Sequence, residues 1–404
     1  MANAILTPSI IAKEALMQLE NQLVMGNNVY KEYKDEFAKV GDTVSIRKPV
    51  KFVTTDGASL TKQDVEEGNT NIVVDSRKHV GWAFSTNDLT LTIEQYSERY
   101  IKPAMIALAQ DVESSLTGLY ADVFGFAGAC GTVPNTFAHL GLAGRVLDDN
   151  AVPEGRKAIF NPEATWSLAD GLKAVFVQSK SKTALEEARM GYYARFDTYM
   201  GQSIKVHTVG AHGGTPLIDG ADQDTTYALS KTTNSQSLVT NGWTNDTTGI
   251  LVEGDIFTIA GVYSVNPNTK DSTGELQTFV VNADADSGAT TGPATLNISP
   301  AIIISGPYQN VDAKPLNDAV ITLKGTSSTG YAQNLCYHPN AFALVACPLI
   351  LPDGVAFKAR ETHNGLSVRV LKAYDIDTDD EIIRLDILYG VKTIYPELAC
   401  RLTS

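Results

Sequence analysis

Apolar residues along this chain recur at helical spacing in two stretches and alternate at strand spacing through much of the rest. Near the start, Leu16, Leu19 and Leu23 step by three and four behind Thr7 and Pro8, an N-cap residue followed by a first-turn proline, which predicts an amphipathic helix. Its polar face carries Lys13, Glu14 and Glu20, so its apolar face must pack on another part of the chain or on a neighbour. The second stripe is Ile101, Met105, Leu108, Val112, Leu116, Leu119 and Val123, and it predicts one spine helix about 33 Å long at ~1.5 Å per residue. Pro103 stands early in that stripe, which makes "TIEQYSERY" before it either a kinked first part or a separate turn.

Between the two helices, "DTVSIRKPV" and "HVGWAFST" alternate, with Val80, Trp82 and Phe84 on one face. These runs predict the two sides of a long β-hairpin arm with a polar tip, and such an arm is marginal in water unless something packs on it. Residues 127–214 mix the two periods: "GRKAIFNPEATWSLADGL" reads as a strand and then a helix starting at Asn161 and Pro162, and "TALEEARMGYYARFDTYMGQSIKVHTVG" as a helix, a loop and a strand. From Leu217 to Gly325 the composition shifts to Thr, Ser, Asn, Gly and Asp with short β-prone runs, which predicts an inserted β domain. Inside it, 256–265 reads as the first strand, "NPNTKDSTGE" as a turn and "LQTFVV" as the return strand. Strict alternation sets Phe257, Ile259 and Tyr263 on one face and Ile256, Ala260 and Val262 on the other. Apolar groups on both faces place this hairpin at the centre of a small barrel or sandwich. After the insert, 366–374 and 381–389 predict a second hairpin with "DIDTDD" at its tip.

Length and charge narrow the function classes. At 404 residues and 43% hydrophobic, the chain can fill two or three cores, because single cores stop growing near ~250–300 residues. Its 46 acids against 32 bases give a net charge of -14, which disfavours phosphate-driven nucleic-acid binding. Cys130, Cys336, Cys347 and Cys400 lie far apart without a CxxC pair and support neither a zinc knuckle nor a disulfide framework. The N-terminus lacks a signal-peptide pattern, and the longest apolar run, "AFALVACPLILP", is broken by Pro348 and falls short of the roughly 20 residues a membrane helix needs. A soluble protein that folds in the cytoplasm, with no membrane partner, is the expectation.

Catalytic patterns such as GxSxG, HExxH and GxGxxG do not occur. "GTSSTGYA" has phosphate-loop glycines but Tyr331 and Ala332 where Lys and Ser or Thr belong. Asp375, Asp377, Asp379 and Asp386 imitate a calcium loop, yet Asp380 replaces its turn glycine and strands flank it, so a solvated hairpin tip is expected. Cys336 and His338 on one strand do not amount to a metal site. The reading therefore holds no catalytic residue, no cofactor and no metal.

The order of these parts resembles the major capsid (coat) proteins of tailed bacteriophages. More narrowly, the chain is similar to the coat-protein type of the Salmonella podoviruses, which carries an inserted domain. The stretches that carry the resemblance are "GDIFTIAGVYSVNPNTK", "YIKPAMIALAQDVE", "AIFNPEATWSLADGL", "YQNVDAKP" and "IIRLDILYGVKTIYPELACRL". It implies an α+β fold of the Hong Kong ninety-seven type: residues 1–40 as an N-terminal helical arm, 41–84 as an extended loop on a neighbouring subunit, and 85–126 as the spine helix with the peripheral domain. Residues 127–216 and 326–360 become the axial domain, 217–325 the inserted small β-barrel, and 361–404 the C-terminal strands of the peripheral domain.

The implied function is self-assembly through pentamers and hexamers into the icosahedral shell of a virion, built in the host bacterial cytoplasm and enclosing double-stranded DNA without sequence-specific binding. A scaffolding protein and a portal are the implied partners, and enzymatic activity is not implied. The resemblance assigns assembly contacts to Lys62, Asp64, Glu66, Glu67 and Trp82, an inserted-domain core to Phe257, Ile259, Tyr263 and Phe279, and scaffold contacts to Glu14 and Glu20. A two-fold contact loop would hold Lys231 and Asp246 as its charges, with Trp243 as an apolar substitute for the family's charged pairs. No cross-link through Lys62 is expected. The alternatives are a cellular nanocompartment shell protein of the same fold, against which an insert of about 110 residues argues, and a β-rich surface or ligand-binding protein.

Overall fold

The computed structural model describes residues 8–32, 43–58, 60, 62–85, 97–171, 191–355, 357–375 and 380–403. Thr7, the "TALEEARM" helix, the first residues of "TIEQYSERY", and Asp377 and Asp379 lie outside them. The chain divides into two units, one of Met1–Ser45, Asn71–Leu116 and Phe342–Lys392, the other of Ile46–Thr70, Thr117–Ala341 and Thr393–Ser404.

In the first unit an antiparallel sheet runs in the order Ser76–Ser85, Asp380–Thr393, Leu366–Asp375, Phe357–His363, with Phe342–Ala346 also joined to the Asp380–Thr393 strand. The helix Pro8–Gln22 packs on the Phe357–His363 and Leu366–Asp375 strands and buries Ile11, Ala15, Leu16 and Leu19, the face that its period marks as apolar. Three sequence expectations are corrected here. "DTVSIRKPV" pairs with Asn69–Val73, while Ser76–Ser85 lies along Asp380–Thr393 with Val80 opposite Leu385 and Trp82 opposite Ile383. A lone arm offers one ladder, whereas the sheet offers the same ladder plus a buried face. Phe342–Ala346 belongs to this sheet instead of to an axial domain, and the terminal strand Ala399–Thr403 belongs to the other unit. Asp386, the last member of the imitated calcium loop, is wholly buried, with Arg369 reaching one carboxylate oxygen through Nε (3.1 Å) and Nη2 (2.5 Å) and Arg384 Nε reaching the other at 2.7 Å.

The spine stripe is buried as expected at Ile101, Met105, Leu108, Val112 and Leu116. Its α-helical part is shorter than the pattern suggests: a π turn occupies Ser97–Ile101, the α-helix runs Lys102–Gly118, and Leu119–Asp122 tightens into a 3-10 turn. On its side Glu113 is almost fully buried and accepts the backbone N–H groups of Val24 (2.9 Å), Met25 (3.0 Å) and Gly26 (2.8 Å), closing the turn behind the first helix. Those amides have no helical acceptor of their own, and the carboxylate supplies one.

Two large sheets lie in the second unit among the described residues. One orders its strands Phe126–Ala127, Ala399–Thr403, Gly330–Tyr337, Arg156–Phe160, Phe196–Met200, Tyr192–Tyr193, with Val206–Thr208 also on Gly330–Tyr337. The helices Phe137–Asp149 and Pro162–Gly171 bring Leu140, Ala143, Leu147, Ala164 and Leu168 to its core. Asn161 caps the second of them, its side-chain oxygen accepting the Ala164 N–H at 2.9 Å just before the proline. The other sheet runs Ile321–Leu323, Ile256–Val265, Ser272–Val281, Ala294–Ser299, Gln236–Trp243, Gly214–Ile218. A bridge between Leu217 and Val320 brings its two edges together, giving a small barrel.

Strand Ile256–Val265 is third in chain order within the barrel, not first, and its return strand already begins at Ser272. Phe257, Ile259 and Phe279 are wholly buried, with the rings of Phe257 and Phe279 at 5.8 Å. Tyr263 departs from the expected core: it is 37% exposed, and Val262 takes the inner place. The register shifts between Thr258 and Tyr263, and Gly261 sits at φ +81°, so a bulge reverses the alternation. Ile256 faces outward and packs with Phe124 and Val280, which makes both faces of this strand apolar.

Phe257→Ala should cost about 3–5 kcal/mol and Tyr263→Ala under about 1 kcal/mol in urea unfolding; equal costs would contradict the bulged register. Burial lifts the Glu113 carboxyl above its ordinary range against the pull of the three amides. The native state then holds the extra proton between the unfolded and folded pKa values, so the stability tied to this group is full below the unfolded value and is lost as pH rises through the folded one. Wild type should gain stability on Glu113→Gln as pH falls from about 7 to about 5, and a constant difference would count against this placement.

Candidate functional site

The barrel joins the rest of its unit by two strands that run side by side, Val206–Thr208 with Gly330–Tyr337, pairing Thr208 with Gly330 and His207 with Tyr331. At the base of this stem lies a buried polar cluster assembled from four distant parts of the chain. His207 presents Nε2 to Asp255 Oδ1 at 2.8 Å and Nδ1 to the Tyr120 hydroxyl at 3.0 Å. Because a carboxylate only accepts, Nε2 is the donor on that side, and Nδ1 meets the phenol, so both ring nitrogens are engaged. Asp255 Oδ2 accepts the backbone N–H groups of Gly210 (3.1 Å), just past the first stem strand, and Val252 (2.8 Å), in the turn before Ile256–Val265.

Arg401, from the terminal strand, completes the cluster. Its Nε donates to the Val123 carbonyl at 2.9 Å and its Nη1 to the Gly254 carbonyl at 2.8 Å, while the guanidinium lies 5.5 Å from the centre of the Tyr120 ring. Burial pulls Arg401 down to about 10 and pushes the Tyr120 phenol up. Gly254 has φ +97°, and a Cβ there would crowd the rings of His207 and Tyr120 at 3.3 Å, so glycine is required on both counts. A His–Asp couple can act as a catalytic base, but this one has no ring nitrogen left for a substrate and is 6% and 1% exposed. What it can do is hold the barrel.

The expected contact residues are placed unevenly. Lys62, Asp64, Glu66 and Glu67 all fall within residues 46–70 of the second unit, with Lys62 and Asp64 exposed and Glu67 paired with Arg47 at 3.5 Å. Trp82 is not among them, since it is a half-buried sheet residue of the first unit. Glu14 accepts the Gln18 side-chain amide at 3.0 Å, and Glu20 binds His363 Nδ1 (3.2 Å) and Asn364 Nδ2 (2.9 Å). The Asn364 bond holds the Glu20 carboxyl below its ordinary range. Trp243 is corrected most sharply: it is 3% exposed, in the barrel core, with its indole N–H on Thr240 Oγ1 at 2.9 Å. A register shift between Asn241 and Trp243, with Gly242 at φ +78°, turns the indole inward. Lys231 and Asp246 flank that strand at its opposite ends, so they do not share one loop.

Comparison with known proteins places the chain among phage coat proteins. The family model described as "P22 coat protein - gene protein 5" matches residues 1–403. The "Major capsid protein" of Acyrthosiphon pisum secondary endosymbiont phage 1 is 23% identical over 383 residues, covering 89% of this chain and 88% of the relative. A solved structure from Mycobacterium phage Che8 is similar over 94% of this chain and 90% of its own, at 14% identity and a TM-score of 0.49. The CUS-3 coat protein I-domain is 29% identical over 27% of this chain and 94% of its own length, with a TM-score of 0.20.

Asp255→Ala strips His207, Gly210 and Val252 of their shared acceptor and should destabilise the protein by about 3–5 kcal/mol, measured by urea unfolding. A loss below about 1 kcal/mol, the range of an ordinary surface change, would remove the cluster from its structural role.

Proposed function

The chain belongs to the P22 coat protein family and is a phage major capsid protein, and from that premise we propose that it assembles through pentamers and hexamers into an icosahedral shell around double-stranded DNA. The observation that carries this reading is the match of one coat-protein family along nearly the whole chain. The same match disfavours the nanocompartment reading. The reaction is association alone, many heterologous contacts of a few kcal/mol each, at most, whose closure into rings and then a shell supplies cooperativity, and no catalytic step belongs to it.

Within the subunit, 43–73 is assigned as the extended loop in place of 41–84, because Ser76–Ser85 is a sheet strand. Phe52, Leu60 and Val65 on this segment are 64%, 86% and 63% exposed, and apolar side chains gathered there suit contact with a neighbouring subunit. The helix Pro8–Gln22 serves as the N-terminal arm, Lys102–Gly118 as the spine, and the barrel as the inserted domain. A scaffolding protein and a portal act with the chain in the host cytoplasm. The net charge of -14 keeps the wall from trapping the DNA it encloses.

Negative-stain microscopy and sedimentation velocity, on the chain alone and with its scaffolding partner, should show closed shells or uniform capsomer-sized rings. A strictly monomeric species under both conditions would refute assembly.

A further inference from the structure

Beyond the pairing of Thr43–Arg47 with Asn69–Val73 and the Arg47–Glu67 ion pair, the two limbs of residues 46–70 are held at three further places among the described residues. At the base, the Lys48 N–H donates to the Gly68 carbonyl at 2.7 Å, an ordinary hairpin rung. Farthest out, the Gln63 side chain replaces a rung, accepting the Val53 N–H at 3.0 Å and donating to the Val53 carbonyl. Between them neither limb supplies the partner. The Tyr308 hydroxyl, from the barrel, accepts the Lys51 N–H at 3.2 Å and donates to the Glu66 carbonyl at 2.9 Å. A phenol has one proton to give and lone pairs to receive with, and here one bond of each kind goes to each limb.

The surroundings fix this hydroxyl. The Tyr308 ring lies flat on Tyr227, centroids 3.4 Å apart and planes 4° from parallel. Lys270 Nζ donates to the carbonyls of Pro307 (2.8 Å) and Gln309 (3.3 Å), the chain neighbours of Tyr308, and so stiffens the turn that carries it. On the other side, a Cβ at Gly68 would collide with the Tyr227 hydroxyl and the Lys231 carbonyl, so the limb reaches the stacked pair only because that residue is glycine.

We propose that Tyr308 is a positioning residue for assembly: the barrel clasps the root of the extended loop and sets the direction in which it leaves the subunit. The proposal rests on reading 46–70 as part of that loop, and it gives the inserted barrel a role beyond its own folding. A two-stranded root alone would swing, because a hairpin without a packing partner is marginal. Tyr227, Lys270 and Tyr308 all come from the barrel segment, so the barrel supplies the missing support.

Tyr308→Phe tests this, since it keeps the ring and the stack and removes only the hydroxyl. Hydrogen exchange on the unassembled subunit should show the Lys51 amide exchanging about tenfold faster, the loss of roughly one ordinary hydrogen bond, with the Phe257 amide in the barrel unchanged. Assembly of the same variant should give fewer and less uniform shells than wild type. Gly68→Ala, made on the loop side and leaving the barrel intact, should reproduce both effects. Unchanged Lys51 exchange would overturn the clasp, and faster exchange with wild-type shells would overturn its role in assembly. If wild type itself failed to assemble, the coat reading would fall while the exchange result still judged the clasp.

Discussion

The arrangement of the second unit depends on one constraint: a barrel tethered by two strands must be held by groups that cannot be left unpaired. Asp255 and Arg401 are both 1% exposed, and a buried ionised group without partners costs several kcal/mol. Asp255 finds its partners in His207, Gly210 and Val252, and Arg401 finds its own in the Val123 and Gly254 carbonyls and the Tyr120 ring. These bonds tie barrel, stem and terminal strand to one another, with Arg401 Nη2 alone of the cluster's guanidinium nitrogens lacking a hydrogen-bond partner among the described residues. Apolar burial supplies the larger share of stability, as it does in most folds, but it is non-directional, and the polar cluster adds the direction.

The first unit uses the same device. Glu113 answers three backbone amides of the turn after the first helix, and Asp386 gathers Arg369 and Arg384 at the centre of the sheet. In each case a carboxylate on one element satisfies groups on another: the turn after the first helix for Glu113, the neighbouring strand's Arg369 for Asp386. Such contacts specify one arrangement among the many that hydrophobic packing would tolerate.

Period and composition made the helices and the barrel strands legible. Leucines at helical spacing marked Pro8–Gln22, and alternating β-branched and aromatic residues marked Ile256–Val265. Alternation failed at Tyr263, where a bulge beside Gly261 swaps the faces, and Trp243, expected in a contact loop, turns into the core at the irregularity beside Gly242; those glycines were the available signal. Strand partners were not legible for Ser76–Ser85, because an alternating strand states that it pairs without stating with what. Tyr120, His207, Asp255 and Arg401 escaped because spacings of this size follow no local rule, and only the fold brings them together. Function was legible from whole-chain resemblance and not from a site, as suits a protein whose work is association through extended surfaces.

Asp255 fixes the root of the barrel. Gly210 and Val252 lie outside the named strands, yet their amides donate to this buried carboxylate. Residue-resolved hydrogen exchange on the intact subunit measures this directly. Both amides should exchange as slowly as those of the barrel strands, opening only when the barrel itself unfolds. Exchange at the rate of exposed loop amides would contradict it.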